Sequence, residues 1–185
     1  MNLIDKIKTY CAKWKEKRFW RTPDYFLVAI ILENDQVYGE VKGELALLNG
    51  IPKPESGYFY KDVVKVIGPV GKQFFRDEEI FEFKAVGIYR KSNLSTFTFY
   101  AILPKSQDYF YLMEEFKGEN LRARFKWFPN GNPTTWEKGY CTANSLEEAE
   151  KILEQFVSKG EGREVKNINK WDYDIDKLDK NDSEY

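Results

Sequence analysis

Apolar residues recur at spacings of three and four near the start of this chain, and the pattern then switches to alternation and short unbroken runs. Over residues 2–20, Leu3, Ile7, Tyr10 and Trp14 fall on one side, with Ile4 and Cys11 on its flank. Lys6, Lys8, Lys13, Lys15 and Lys17 fall on the other. That period predicts an amphipathic helix. Thr22-Pro23 stops it, because the residue before a proline is pushed out of the α region.

Strand signals follow. Residues 25–32 are a nearly continuous apolar run of eight, a length that suits a buried central strand. Residues 37–48 alternate through Val37, Gly39, Val41 and Gly43 and read as its hairpin partner. Proline and glycine make residues 50–57 a loop. Residues 58–67 read as a strand broken by Gly68-Pro69-Val70-Gly71. Residues 79–90 and 94–103 alternate as well, and Lys91-Ser92-Asn93 between them reads as a hairpin turn. Residues 108–116 fit a strand or a helical turn equally. Over 121–128, Leu121, Ala123, Phe125 and Trp127 point one way and Arg122, Arg124 and Lys126 the other. The turn signal of residues 129–133 returns the chain into a strand over 134–142.

Ser145-Leu-Glu-Glu148 is a capping box, and the helix it starts runs to about Lys159 before Gly160 stops it. These elements predict an α+β fold: a mostly antiparallel sheet of six or seven strands, with an N-terminal amphipathic helix and a C-terminal helix packed on it. The expected organisation is a basic helix over 1–21, a single domain over 22–162 and an acidic tail over 163–185.

Charge sharpens that division. The net charge is −1, yet residues 1–21 carry +5 and residues 172–185 carry −4. No stretch approaches the roughly 20 apolar residues of a membrane span. The N-terminus lacks the apolar core of a secretion signal, so a cytoplasmic location is expected. Peripheral membrane contact through the basic helix is not expected, since its apolar stripe is narrow and is needed to cover the sheet.

Candidate chemistry is sparse. The chain has no histidine, the side chain most used as general base and metal ligand. Cys11 and Cys141 lie far apart in sequence, are expected to be free thiols, and cannot alone complete a tetrahedral zinc site. Gly68-Pro-Val-Gly71-Lys72 lacks the spacing and the following Ser or Thr of a phosphate loop. Asp172, Asp174 and Asp176 resemble the opening of a calcium loop, but Lys177 stands where its glycine belongs and Ser183 where its glutamate does. Glu78, Glu79, Glu82, Glu114 and Glu115 have no spacing that sets two carboxyls across a cleft. The expectation is a non-enzyme with no cofactor and no metal.

Two stretches interleave cations and rings. The first holds Lys13, Lys15, Lys17, Arg18, Phe19, Trp20 and Arg21; the second holds Arg122, Arg124 and Lys126, with Trp127, Phe128 and Trp136 near in sequence. The unit over 121–157 resembles the arm-type DNA-binding modules of phage integrases in its basic strand face. It departs from them in a helix bearing Glu147, Glu148, Glu150 and Glu154, and it assigns no family. The expected function is a protein-interaction module (adaptor, accessory subunit or inhibitor) that binds another protein through these residues, since aromatic and arginine anchors dominate interface energy. The alternative is nucleic-acid association through the basic N-terminal helix and the strand face of Arg122, Arg124 and Lys126. A pI near 5.8 favours the first.

Overall fold

The computed structural model describes residues 10, 11, 15, 18–118, 120–125 and 131–171. Its strands are β1 (Tyr25–Ile31), β2 (Gln36–Lys42), β3 (Leu45–Leu48), β4 (Val63–Phe75), β5 (Glu78–Arg90), β6 (Ser95–Leu103), β7 (Arg122–Phe125), β8 (Asn132–Ala143) and β9 (Glu164–Trp171). The helices are α1 (Asp108–Glu115) and α2 (Leu146–Ser158), with a single 3₁₀ turn at Pro54–Ser56.

The first five strands close into a barrel. Each pairs antiparallel with the next, and β1 then pairs parallel with β5, through Ala29 with Glu82 and Ile30 with Phe83. The parity is forced. In an up-and-down run of five strands the first and last point the same way, so they can only close side by side in parallel. Val28, Ile30, Val41, Leu48, Val64 and Phe83 fill the interior. Closure leaves the barrel no bare edge.

β4 and β5 form one long hairpin. Its tip is the two-residue turn Arg76-Asp77, with φ of 50° and 67° between the paired residues Phe75 and Glu78. A turn with both central residues left-handed matches the twist of the flanking strands. The Gly68-Pro69-Val70-Gly71 segment does not end β4. It sits inside the strand as an irregularity, where the register shifts between Ile67 and Gly71 and the Gly68-Pro69 peptide is cis.

The remaining strands form a four-stranded sheet in the order β7-β8-β6-β9. One face carries Phe97, Phe99, Ala101 and Leu103 from β6 and Cys141 and Ala143 from β8. Leu112 and Phe116 from the α1 region and Ala149, Leu153 and Phe156 from α2 cover it. The α2 start is as the sequence dictates: the Ser145 hydroxyl accepts from the Glu148 N–H at 3.2 Å, while Glu148 accepts from the Asn144 N–H at 2.7 Å. Phe99 and Gly139 are paired across β6 and β8, and a Cβ on Gly139 would lie 2.3 Å from the Phe99 ring. Only glycine leaves room for that ring.

Barrel and sheet meet through loops. Ile51 and Tyr60 from the barrel's loops pack on Tyr140 of β8, with Leu94 against them. Asp62, wholly buried, accepts from the Phe59 N–H at 2.8 Å and from the Ser92 N–H at 2.7 Å, which ties the link between β5 and β6 to the barrel.

The chain is therefore mostly β, with a closed barrel beside a second sheet. It is not the α+β fold with one antiparallel sheet that periodicity predicts. β5 turns back on β4 instead of forming a hairpin with β6, so Lys91-Ser92-Asn93 is a crossing between sheets and not a hairpin turn. The 37–48 segment splits into β2 and β3 around Gly43. Residues 108–116 resolve to helix α1, and residues 164–171 of the expected tail form β9. The helix predicted over 2–20 is not among the described elements. Most of it lies outside the described residues, and Tyr10, Cys11, Lys15 and Arg18 are exposed, so none of these covers a sheet.

Candidate functional site

Of the eleven residues that the sequence singles out, Arg18, Phe19, Arg21, Arg122 and Arg124 take part in hydrogen bonds within the chain. Lys42 of β2 donates to the Phe19 carbonyl at 2.9 Å and its ammonium lies 4.8 Å from the Phe19 ring centroid. Trp20 is half-buried and meets Phe19 edge to face, with centroids 5.0 Å apart. The Arg21 N–H donates to the Arg18 carbonyl, and both side chains are exposed, as is Lys15. Lys13, Lys17 and Lys126 lie outside the described residues, as do Trp14, Trp127 and Phe128.

The basic strand is engaged inside the fold. Arg124 donates from Nη1 to Asp35 Oδ2 at 2.8 Å and from Nη2 to Asp35 Oδ1 at 3.0 Å, and from Nη1 to the Ile51 carbonyl at 2.7 Å. Burial pushes the Asp35 carboxyl up, but the Arg124 hydrogen bonds, the Lys53 N–H, the Arg124 charge and the Gln36 N–H outweigh it, and the net shift is downward. Arg122 is exposed, yet its Nη1 donates to the Gly118 and Leu121 carbonyls and its guanidinium lies 5.7 Å from the Tyr60 ring centroid. Arg124 thus serves as a bolt between sheet and barrel.

Trp136, the remaining residue of that set, is half-buried on β8. The ammonium of Lys166 sits 3.6 Å from its ring centroid. Near it, burial and the Glu55 charge push the Tyr140 phenol up to about 12. Tyr100, Lys138 and Lys166 share this neighbourhood and were not singled out by sequence, because a lone lysine on a strand carries no signal of which strands will lie beside it.

The structure reveals a second surface. Phe74 is 76% exposed, Phe26 71%, Ile67 52% and Val70 51%. All four sit on β1 and β4, the two strands that flank β5. Phe26 and Leu27 belong to a run whose composition reads as buried; Val28 and Ile30 do enter the barrel core, but the pairing of β1 with β2 shifts register between Tyr25 and Val28 and leaves these two outside.

The two thiols stand apart, and several of the acids are held in ion pairs. Cys141 is buried and its thiol is pushed up by that burial; Cys11 is exposed, and both are free. Glu79 pairs with Lys72 at 2.7 Å, Glu114 with Lys117 at 2.9 Å and Glu115 with Lys159 at 2.7 Å. An open groove of about 510 Å³ runs beside α1 and the α2–β9 turn, lined by Asp108, Tyr111, Glu115, Lys159 and Arg163. At its floor Arg163 donates from Nε at 3.1 Å and Nη2 at 2.8 Å to Asp108 Oδ1, and from Nη1 to the Phe156 carbonyl at 3.0 Å. Among the described residues no three Cys, Asp or Glu side chains are placed to hold a metal ion, and no helix is long and apolar enough to cross a membrane.

No family model matches the chain, and no curated protein matches it. Among solved structures it is similar to one titled "Novel crystal structure of a hypothetical protein from Neisseria gonorrhoeae", at 12% identity over 79% of this chain and 95% of that one, with a TM-score of 0.30.

Proposed function

We propose that this protein is a non-catalytic interaction module whose docking surface is the apolar strip of Phe26, Ile67, Val70 and Phe74 on the barrel wall. The carrying observation is that four large apolar side chains, each more than half exposed, stand on two strands separated only by β5. Scattered surface apolar residues are ordinary, but a cluster on one wall marks a contact site. Lys65 and Lys72 on β4 and Lys84 on the neighbouring β5 are exposed and supply the polar rim such sites have. Phe19, just before β1 in the chain and 39% exposed, adds a third ring to the barrel side. The partner is another protein, since burying rings in a pocket of matched shape is what makes a hot spot.

A photoreactive phenylalanine placed at position 74 tests this in cells. A defined adduct is expected from position 74, lost on Phe26→Ser and absent when the probe sits at Ser158 on the far helix. No adduct, or the same adducts from both positions, removes the barrel wall as the docking surface.

A further inference from the structure

We infer that the sheet face turned away from α1 and α2 is a landing surface for single-stranded nucleic acid. The register sets Lys138, Tyr100 and Lys166 in one row across β8, β6 and β9. Their neighbours Gly139, Phe99 and Ala101 point the other way, toward the helices. Trp136 joins this row, because the Lys166 ammonium rests on its ring. Two rings and two cations therefore share one face.

The cations are the informative part. Neither Lys138 nor Lys166 has a carboxylate among the described residues within ion-pair reach, whereas Lys53, Lys72, Lys117, Arg124, Lys159 and Arg163 are each paired with one. Each instead lies over an aromatic ring, Lys166 on Trp136 and Lys138 at 5.7 Å from Tyr140. The register puts Glu164 on this face, opposite Ile102, and the Glu55 charge reaches Tyr140, but Arg122 of β7 adds a third cation, so the face keeps net positive charge. Asp35 is taken up by Arg124 and does not compete.

This is the layout a single strand needs. Unpaired bases stack on exposed ring faces of a sheet, and lysines between the rings meet the phosphates. Adjacent strands lie about 4.8 Å apart, so the two lysine positions are about 10 Å apart with Tyr100 between them. An acidic peptide would use the lysines and leave the rings idle. The surface is separate from the apolar strip of the barrel, and its test does not involve that strip.

Fluorescence anisotropy with the full chain separates these cases. The probes are fluorescein-labelled 12-mers of thymidine and of uridine, a 12-base-pair duplex, and a 12-residue polyglutamate peptide, from 20 to 200 mM salt. Binding is expected to favour the single strands. Trp136→Ala should weaken it about tenfold or more. The double substitution Lys138→Gln and Lys166→Gln should lower the log–log salt slope by about 1.4, at about 0.7 per lost phosphate contact on a single strand. Far-UV circular dichroism checks each variant, and Trp136→Leu replaces Trp136→Ala if the latter does not fold. No binding of single strands at 20 mM salt overturns the inference. So does equal binding of polyglutamate, or affinity left unchanged by both sets of substitutions.

Discussion

Arg124 and Asp35 stand 89 residues apart in sequence and meet in two parallel hydrogen bonds, an ion pair that spans the barrel and the sheet. The Asp35 side chain is almost fully buried, whereas Arg124 keeps about a quarter of its surface. The pair is therefore asymmetric: losing the arginine strands a buried carboxylate, while losing the carboxylate leaves a guanidinium with water within reach.

Arg124→Ala should lower stability by about 3 kcal/mol, near the low end for breaking a buried pair because the arginine is partly exposed. Asp35→Asn should cost less. The doubly substituted chain should be less destabilised than the sum. Urea unfolding of the three variants, read as a double-mutant cycle, gives the coupling directly; additive losses would show that the two groups do not act together.

The same carboxylate fixes a pH dependence. Its folded pKa lies below the unfolded one, so its contribution is fully present above the ordinary aspartate range near 3.9 and is lost as pH falls through the lower folded value. The stability gap between the parent and Asp35→Asn should be constant from about pH 5 to 7 and should close on acidification below about pH 4. A gap that widened on acidification would reverse the sign assigned here.

Gly139→Ala should cost about 2 kcal/mol or more, because the added methyl meets the fully buried Phe99 ring at 2.3 Å. Phe99→Leu alone should also destabilise. Combined with Gly139→Ala it should recover part of the loss, since the smaller side chain vacates the space. Thermal denaturation of the pair decides it.

The hairpin tip offers a gain. Arg76 and Asp77 both hold left-handed backbone, which costs an L-residue about 1 kcal/mol. Arg76→Asn with Asp77→Gly installs the dipeptide favoured in such turns. Stability should rise by about 1 kcal/mol in chemical denaturation. A loss instead would mean that the contact of the Arg76 guanidinium with the Phe75 ring, 5.3 Å from its centroid, outweighs the backbone relief.

Under the groove, Arg163→Ala should be more damaging than Lys159→Ala. Arg163 is buried, bonds Asp108 and the Phe156 carbonyl, and lies 4.5 Å over the Phe156 ring, whereas the Lys159 pair with Glu115 is half in water. About 3 kcal/mol against less than 1 is expected by urea unfolding.

Local order was legible from the sequence, and pairing over distance was not. The capping box at Ser145 and Glu148 starts α2 where the residues place it, and the alternation of Arg122, Ala123, Arg124 and Phe125 gives a strand with a basic and an apolar side. Nothing in that alternation shows that Asp35 will rise to meet Arg124, because a side-chain period fixes a face and not what faces it. Phe26 and Leu27 look like core in a one-dimensional reading, since their run continues unbroken into Val28 and Ile30. The register shift between Tyr25 and Val28 turns Phe26 outward although it shares the parity of Val28 and Ile30, and such an irregularity is set by the pairing with β2 and not by the run itself. Gly68-Pro69 misled for a related reason: a long hairpin can carry such a segment as an irregularity when the strand beside it holds the register on both sides.

The parallel seam between β1 and β5 has a consequence for synthesis. β1 emerges about fifty residues ahead of the strand that completes its second side. Until Glu82 to Lys84 arrive, a nascent chain carries a bare ladder of amides and carbonyls beside an open apolar interior. Fragments ending before that point should therefore assemble with one another or precipitate, and a supplied β4–β5 hairpin peptide should rescue them by taking the empty place.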